Sequence, residues 1–391
     1  MSMLSARAVA TSGAIDTVFN FFMGYRAGVD DMKVRADLTF GNPHEMPLPA
    51  LVSAIKARME PQSPDWFAYK TSELQPRSVI AATLSAELGL PFRSEDVAMT
   101  QGAFGAIALA FSLLLDIGDE CIIPLPGWFC YASMLRARNS VPVPVPLSEG
   151  SFDLDVAAIE AAITPRTRIV VVNTPHNPTG VIYSRARLTE LADMLTRKSA
   201  ELARPIFILS DEPYRRIRFD NAAFTSPAAV YPHTLIDYSY GKVLLAPGLR
   251  IGYLAFSSEM PEADRKALRA AALTSQIGGG WSFPDAPLQY AVGDLETIGI
   301  DIRALQHKRD RLHAALTQWG YAMTHPQGTF YLWGRAPGGD SLTFTRRLAQ
   351  QGVFIMPGTL FDRPAYFRIS LTATAEMIEA SLPAFEAAAN S

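Results

Sequence analysis

Residues 168–180 read Arg-Ile-Val-Val-Val-Asn-Thr-Pro-His-Asn-Pro-Thr-Gly, an apolar β-branched run that gives way to polar and turn-forming residues. The run is typical of a strand buried on both faces, because a half-exposed strand would alternate apolar and polar side chains. Such strands belong to parallel sheets whose two faces are covered by helices. The segment therefore predicts an α/β fold.

The same pattern recurs on either side of this segment. From about Val97 to Phe256, apolar runs alternate with helical-period stretches such as Ala103–Leu115 and Arg187–Leu202. The strand candidates are Val97–Thr100, Glu120–Pro124, Arg168–Asn173, Ile206–Ser210, Leu235–Tyr238 and Ile251–Phe256. We expect a mostly parallel sheet with helices on both faces, in a large domain over residues 49–299.

After Met260 the pattern changes to longer helical stretches. The predicted elements are helices over Glu262–Ala272, Ile300–Trp319 and about Leu342–Gln351, strands near Gly328–Trp333 and Val353–Met356, and a last helix from Ala375. This arrangement predicts a smaller α+β domain formed by residues 1–48 and 300–391.

Composition and charge argue against several classes of protein. Hydrophobic residues make up 49% and charged residues 19% of the chain, as in ordinary folded proteins. The net charge of −3 is unlike that of a nucleic-acid or anionic-membrane surface. The longest apolar stretch, Ala106–Leu115, is shorter than the roughly 20 residues that cross a bilayer. Cys121 and Cys130 lack metal-binding spacing. We expect a cytoplasmic protein without metal, nucleic-acid or membrane partners.

Polar clusters follow four of the predicted strands. They are Gln101-Gly102-Ala103-Phe104-Gly105, residues 173–180, Asp211-Glu212-Pro213-Tyr214 and Ser239-Tyr240-Gly241-Lys242. In open α/β sheets, ligands bind outside the carboxyl ends of the strands. Four clusters at such ends predict one shared site.

Lys242 and its neighbours indicate the chemistry of this site. A lysine in apolar surroundings is a competent amine nucleophile for a Schiff base, although a lone lysine is more often a surface residue. Asp211 ends an apolar strand, so its carboxylate needs a cationic partner, which a protonated pyridine nitrogen would provide. Ser239 and Arg250 bracket the lysine. Together with the free amides of a helix starting at Gly102–Phe104, they predict a phosphate site.

These residues resemble the signature of the class I/II aminotransferases, which are pyridoxal-5′-phosphate (PLP) enzymes of fold type I. The resemblance runs from about Gly41 to the C-terminal helix and is closest to the bacterial aspartate-aminotransferase type. Its elements occur in the family's order: Asn177-Pro178-Thr179-Gly180, Asp211-x-x-Tyr214, Ser239-x-x-Lys242, Arg250 and Arg368. The resemblance implies a PLP-dependent transaminase that moves an amino group between an L-amino acid and a 2-oxo acid.

The resemblance also implies roles around the cofactor ring. Lys242 would hold the cofactor covalently and move the substrate proton. Asp211 would keep the pyridine nitrogen protonated. Asn177 and Tyr214 would bind the phenolic oxygen, and Trp128 would stack on the ring.

The remaining implied residues bind the phosphate and the substrate. The phosphate ligands would be Gly102, Ala103, Phe104, Ser239 and Arg250. Arg368 would grip the substrate α-carboxylate as a bidentate fork, with Gly41 and Asn177 beside it. His176 is expected to be structural. A homodimer with shared active sites is implied as well, in which Tyr69 and residues 276–282 reach the neighbour's cofactor.

Other functions stay open at this point. The same fold and cofactor also serve elimination, cyclisation and other Cα or Cβ chemistry, for which Lys242 and Asp211 are equally suited. A PLP-binding regulatory module would carry a DNA-binding domain, but the residues before Gly41 are too few and not basic. A nucleotide-binding protein would show a glycine fingerprint or a Walker lysine, which the sequence lacks.

The substrate side chain is predicted to be neutral. The segments expected to line its pocket, Phe40–Met46, Trp128–Tyr131 and Gln276–Phe283, contain no Lys or Arg, and an unpaired carboxylate is costly to bury. Their large apolar residues are Phe40, Met46, Trp128, Tyr131, Trp281 and Phe283. We expect neutral or aromatic donors to be preferred over aspartate and glutamate unless Arg26 or Arg35 enters the pocket.

Overall fold

A seven-stranded sheet lies at the centre of the protein, whose computed structural model describes residues 3–25, 34–280 and 283–389. Numbered in chain order, its strands are β2 (Val97–Thr100), β3 (Glu120–Leu125), β4 (Val141–Pro146), β5 (Thr167–Asn173), β6 (Phe207–Asp211), β7 (Thr234–Ser239) and β8 (Gly252–Phe256). They lie in the order β2-β8-β7-β6-β5-β3-β4. Within this sheet β8 alone is antiparallel to its neighbours. The mostly parallel sheet is therefore confirmed.

The six strands predicted between Val97 and Phe256 are all present, each within one residue of its predicted bounds. The sequence does not predict β4, which reads Val-Pro-Val-Pro-Val-Pro. Proline lacks an amide hydrogen and is confined to sheet edges, so a run that alternates with proline resembles a loop. In the structure β4 is an edge strand that pairs with β3 alone.

Helices cover both faces of the sheet. The α-helices of the described residues are α1 (Ala6–Tyr25), α2 (Pro49–Arg58), α3 (Leu74–Leu88), α4 (Gly102–Leu114), α5 (Cys130–Arg136), α6 (Val156–Ala162), α7 (Arg185–Glu201), α8 (Tyr240–Val243), α9 (Glu262–Gly279), α10 (Ala286–Leu295), α11 (Ile302–Gln318), α12 (Ser341–Ala349) and α13 (Ala375–Ala389). The helices α4, α5 and α9 pack on one face, and α6 and α7 pack on the other. None of these helices is both long and apolar enough to cross a membrane.

The helix α4 places its N-terminus at the carboxyl edge of the sheet. Its sequence contains no charged residue, and most of its side chains are buried against the sheet and α9. It begins at Gly102, whose φ of +70° lies in the left-handed region that favours glycine. The chain can therefore turn from β2 into α4 within two residues, which leaves the first amides of α4 beside the strand ends.

A smaller domain contains two further sheets. Its strands are β1 (Ala36–Asp37), β9 (Tyr331–Arg335), β10 (Val353–Phe354), β11 (Met356–Pro357) and β12 (Tyr366–Ser370). The first pairs in parallel with β10, and β11, β12 and β9 form an antiparallel sheet. The predicted strand Val353–Met356 is thus two short strands in different sheets. The boundaries at residues 49 and 299 stay a prediction, and α1 packs on α5 beside the large sheet.

Candidate active site

The carboxyl ends of β5, β6 and β7 border a cavity of about 200 Å³. Residues outside the large sheet also line this cavity, among them Phe40, Tyr331 and Arg368. The sequence-predicted site residues that line it are Gly41, Ala103, Phe104, Trp128, Asn177, Asp211, Tyr214, Ser239, Lys242, Arg250 and Arg368. Clusters that are far apart in sequence therefore meet at one place, as the strand-end argument predicts.

Lys242 lies on α8, the short helix that follows β7. The Ser239 hydroxyl accepts a hydrogen bond from the Gly241 amide at 3.3 Å and so caps this helix. The Lys242 Nζ atom lies 5.7 Å from the centre of the Tyr214 ring and 5.9 Å from that of Phe330. The amine thus reaches the cavity between aromatic faces, from a turn that the serine fixes.

Asp211 is the buried acid of the cavity. Its Oδ2 atom accepts a hydrogen bond from the Tyr131 hydroxyl, whereas Oδ1 has no partner among the described residues. Burial raises the pKa of Asp211, although the Tyr131 hydrogen bond and the charge of Lys242 act in the opposite direction. A buried carboxylate with one unpaired oxygen fits a protonated ring nitrogen, since the positive charge would offset the cost of burial.

Tyr131 and Asn173 support Asp211, and sequence reasoning missed both roles. The prediction that Tyr131 lines the substrate pocket is wrong, because its ring is buried and packs edge-on against Trp128 while its hydroxyl binds Asp211. The Asn173 side-chain amide donates to the Asp211 carbonyl at 2.9 Å, and its Oδ1 accepts from the Asn177 amide at 2.7 Å. Asn173 stood in a predicted polar cluster, but no spacing in the sequence connects Tyr131 to Asp211.

Arg368 is a buried guanidinium at the opposite side of the cavity. It donates to Asn177 Oδ1 at 3.0 Å and to the Thr39 carbonyl at 2.9 Å, and it lies 3.9 Å from the centre of the Tyr331 ring. Burial lowers the pKa of Arg368. No carboxylate among the described residues pairs with it, and its Nε atom has no partner there. This arrangement suits a ligand carboxylate.

Two tyrosines lie between Lys242 and Arg368. Burial raises the pKa of Tyr214 well above its ordinary value. Burial acts in the same direction on Tyr331, but the charges of Arg368 and Lys242 outweigh it and lower the pKa of Tyr331. The sequence gives no signal for Tyr331 beyond its position in a predicted strand.

The start of α4 and Arg250 form the remaining end of the cavity. Arg250 donates to the Gln101 carbonyl at 3.2 Å and to the Pro247 carbonyl at 2.8 Å. A Cβ atom added at Gly102 would lie 3.2 Å from Arg250 Nη2, so Gly102 lets the guanidinium approach the helix N-terminus. Gly102 itself does not line the cavity. A guanidinium, free helix amides and the nearby Ser239 hydroxyl suit a phosphate dianion.

Aromatic side chains form the mouth of the cavity. Phe104 packs edge-on against Trp128, with 4.5 Å between ring centres, and Phe40 and Phe129 also line the cavity. At Gly41 a Cβ atom would lie 2.4 Å from the Phe330 ring, so only glycine fits there. Among the described residues that line the cavity, the cationic side chains are those of Lys242, Arg250 and Arg368.

Other predicted pocket residues lie elsewhere. Met46 is 90% exposed, Arg35 is on the surface, and Phe283 borders a separate surface groove together with Tyr69. The side chain of Gln276 is buried and donates to the Met99 carbonyl at 2.8 Å. Its own sheet thus holds the Gln276 side chain, and the prediction that residues 276–282 reach a neighbouring subunit stays a prediction. Arg26, Trp281 and Ser282 lie outside the described residues.

The surroundings of His176 are those of a structural residue. It is buried away from the cavity, and its Nδ1 atom lies 2.7 Å from the Thr179 hydroxyl. Burial lowers its pKa to about 3, so the imidazole is neutral at pH 7. This agrees with the expectation from the sequence.

The polar side chains that line the cavity fit PLP. The unpaired Asp211 oxygen matches the pyridine nitrogen, the amine of Lys242 matches the aldehyde, and the Arg250 end matches the phosphate. Among the described residues, no cluster of His, Cys, Asp and Glu side chains could hold a metal ion.

Comparison with known proteins agrees with this geometry. The sequence pattern of the family aminotransferase class I and II matches residues 36–385. A probable aspartate/prephenate aminotransferase of Thermus aquaticus is 32% identical over 92% of each chain. An aspartate aminotransferase of Geobacillus stearothermophilus is 29% identical over 78% of each chain.

Solved structures extend the likeness to the whole fold. An aminotransferase of Eubacterium rectale superposes with a TM-score of 0.90 at 31% identity, covering 99% of this chain and 98% of that one. The aspartate aminotransferase of Thermus thermophilus gives a TM-score of 0.81 at 28% identity over 99% and 100% of the two chains. The chain therefore belongs to the class I and II aminotransferases and is a PLP-dependent transaminase acting on amino acids and 2-oxo acids.

Proposed function

We propose that the cavity carries out this transamination with Lys242 as the residue that links the cofactor and moves the substrate proton. One observation carries the proposal. A single cavity contains the Lys242 amine, an unpaired oxygen of buried Asp211, and the buried guanidinium of Arg368 without a carboxylate partner among the described residues. Each group is costly to bury alone, and each matches one part of a PLP–amino acid pair.

Each residue around the ring acts on one part of the cofactor or of the substrate. Bound PLP supplies a ring that accepts the electrons of the substrate Cα–H bond. Asp211 holds a proton on the ring nitrogen, and the Lys242 amine takes the proton from the substrate Cα atom. Asn177 and Tyr214 bind the phenolic oxygen. Trp128 stacks on the ring face.

Binding groups at the two ends of the cavity position the reactants. The proposed phosphate ligands are Gly102, Ala103, Phe104, Ser239 and Arg250. Arg368 binds the substrate α-carboxylate, and Gly41 and Asn177 lie beside it. Decarboxylation would remove the carboxylate that Arg368 would bind and leave this buried guanidinium without its partner, so Arg368 favours loss of the Cα proton.

The preferred amino acids are proposed to carry neutral or aromatic side chains. Phe40, Phe104, Trp128 and Phe129 line the mouth of the cavity. The three lining cations of the described residues already have roles, so a second substrate carboxylate would remain unpaired there. The alternative comes from the relatives named aspartate/prephenate aminotransferases, which would make aspartate the donor.

We infer further that the active unit is a homodimer with shared sites. Tyr69 is fully exposed, and Phe67 and Met59 beside it are more than half exposed; all three border one surface groove. Contiguous exposed apolar side chains are typical of an interface. Sedimentation of a fully active monomer would contradict this. A cytoplasmic location rests on the sequence alone, and cell fractionation tests it.

A half-reaction screen tests the substrate proposal. The purified PLP form is mixed with one amino acid at a time, and its absorbance is followed as the cofactor takes up the amino group. We expect phenylalanine, tyrosine or a neutral aliphatic amino acid to react with the highest kcat/KM. A kcat/KM for aspartate tenfold above that of every neutral amino acid would overturn the proposed preference.

A further inference from the structure

A second buried carboxyl group lies beside Asp211. Asp237 is on β7 and pairs in register with Asp211 on β6, and it is fully buried. Side chains two residues apart share a strand face, so Asp237 lies on the same side of the sheet as Ser239. Neither oxygen of Asp237 has a donor among the described residues, and the carboxyl groups of the two buried acids are near enough for each to shift the pKa of the other.

Two buried carboxylates as near as these cannot both be ionised, so the pair holds one proton. Burial raises the pKa of Asp237 well above its ordinary value, and the charges of Asp211 and Glu212 raise it further. Asp211 has two stabilising neighbours that Asp237 lacks, the Tyr131 hydroxyl and the charge of Lys242. The proton therefore resides on Asp237 and the negative charge on Asp211.

Few ionisable groups of the described residues lie near this pair. The helix α4, which covers β7 on this side, contains no titratable residue. The ionisable groups that face the pair are Tyr131 from α5, Tyr214, and Lys242 from α8. Glu212 points to the other side of β6, toward Ser210, Ser226 and Arg215, and acts on the pair only through its charge. The two tyrosines are buried with raised pKa values and remain neutral.

We propose that Asp237 is a positioning residue that carries the shared proton and donates it as a hydrogen bond to Asp211, so that Asp211 presents an anion to the cofactor ring. This inference rests on the proposed role of Asp211. Asp237 does not line the cavity and acts through its neighbour. An acid that follows the apolar residues Leu235 and Ile236 within a buried strand is the sequence signal for this residue.

Two variants of Asp237 separate positioning from packing. Asp237→Asn keeps the shape and offers an amide donor to Asp211, whereas Asp237→Leu keeps the branch at Cγ but carries two bulkier methyl groups and no donor. The measurement is the dissociation constant of PLP from the apoenzyme. We expect Asp237→Leu to weaken PLP binding about tenfold or more, the effect of losing a hydrogen bond to a charged group, and Asp237→Asn to stay within about threefold of the parent. Equal affinities in all three proteins, or equal losses in both variants, would overturn the proposal.

The same substitutions in an Asp211→Asn background separate this inference from the role of Asp211. There Asp237→Leu should have no further effect on PLP affinity, because the anion that it supports is gone. An Asp211→Asn protein that binds PLP as tightly as the parent would refute the role of Asp211 and the inference with it. An Asp211 effect without any Asp237→Leu effect would refute the inference alone.

Unfolding of the apoenzyme provides a second test, in which Asp237→Asn is the only variant that is compared with the parent. A carboxyl whose pKa is raised by folding contributes stability below about pH 4, where the unfolded group is also protonated, and that contribution is lost as the pH rises. Urea unfolding of the parent apoenzyme should show this decline as the pH rises above about 4. Asp237→Asn should flatten it. Parallel pH profiles for parent and variant would contradict a proton held by this pair.

Discussion

Asp211 and Glu212 are adjacent buried acids at the end of β6, yet their surroundings differ. Successive strand residues face opposite sides of a sheet, so the two carboxyl groups point away from each other. The Glu212 carboxylate accepts hydrogen bonds from Ser210 at 2.8 Å and Ser226 at 2.5 Å, and it lies 3.7 Å from the buried guanidinium of Arg215. Asp211 borders the cavity with an unpaired oxygen.

The comparison teaches that burial alone does not identify a functional acid. Burial raises the pKa of both residues. Each acid has one oxygen without a hydrogen bond, and the difference lies in the nearest charge. The guanidinium of Arg215 lies beside Glu212, whereas no cation of the described residues forms an ion pair with Asp211. Substitutions on the two sides of β6 should therefore affect different properties of the protein.

The largest effect is expected for Lys242→Ala on the cavity side. The variant should still bind PLP through the phosphate contacts but lose turnover, because the residue that links the cofactor also moves the proton. Borohydride should fix PLP to Lys242 in the parent and to no residue in the variant, as peptide mass spectrometry would show. Lys198→Ala, which removes a surface lysine paired with Glu201, is the control and should behave as the parent. Borohydride label on another lysine would contradict the assignment of Lys242.

Asp211→Asn comes next. It should leave the fold intact and slow removal of the substrate Cα proton by several orders of magnitude, because a neutral ring is a poor electron acceptor. Stopped-flow absorbance with Cα-deuterated and ordinary amino acids measures this step. Comparable rates in variant and parent would show that another group protonates the ring nitrogen.

Glu212→Gln, on the other side of the strand, should lower the stability of the fold and leave kcat nearly unchanged. Removing one partner of a buried ion pair costs about 3–5 kcal/mol, and we expect the lower end because Arg215 also pairs with Glu87 at 3.0 Å. Urea unfolding checks the stability, and kcat measured on the folded fraction should stay close to the parent value. A large loss of kcat with unchanged stability would remove the distinction between the two acids.

The smallest effect is expected for Arg368→Ala. It should raise KM for amino acids by the equivalent of about 1.5–3 kcal/mol, the usual value of a charged hydrogen-bonded contact. Steady-state kinetics with an amino acid and with the matching amine that lacks the carboxylate separate recognition from structure. If the amine loses as much as the amino acid, Arg368 is structural.

Local sequence patterns made much of the fold predictable, together with the part of the site that would hold the cofactor. The strands that precede Asp211 and Lys242 are continuous apolar runs, and polar residues mark their ends. The contact between Tyr131 and Asp211 joins residues 80 positions apart, and no local pattern encodes such a distance. The contact of Tyr331 with the cavity could not be predicted from local patterns either. Its strand is predicted, but which side of that strand faces the cavity depends on how the smaller domain packs. The edge strand β4 was missed because its prolines resemble a loop.

The reversed direction of β8 has a consequence for how the site assembles during folding. Because β7 and β8 are antiparallel neighbours, residues 240–251 alone connect them, and Lys242 and Arg250 both lie in this short connection. Closing a short loop costs little chain entropy, whereas the contact between Asn177 and Arg368 spans 191 residues. We therefore expect a folding chain to bring Ser239, Lys242 and Arg250 together early. The amides of α4 join Arg250 across a separation of about 149 residues, and the grip on the amino acid carboxylate forms only when the C-terminal strands dock.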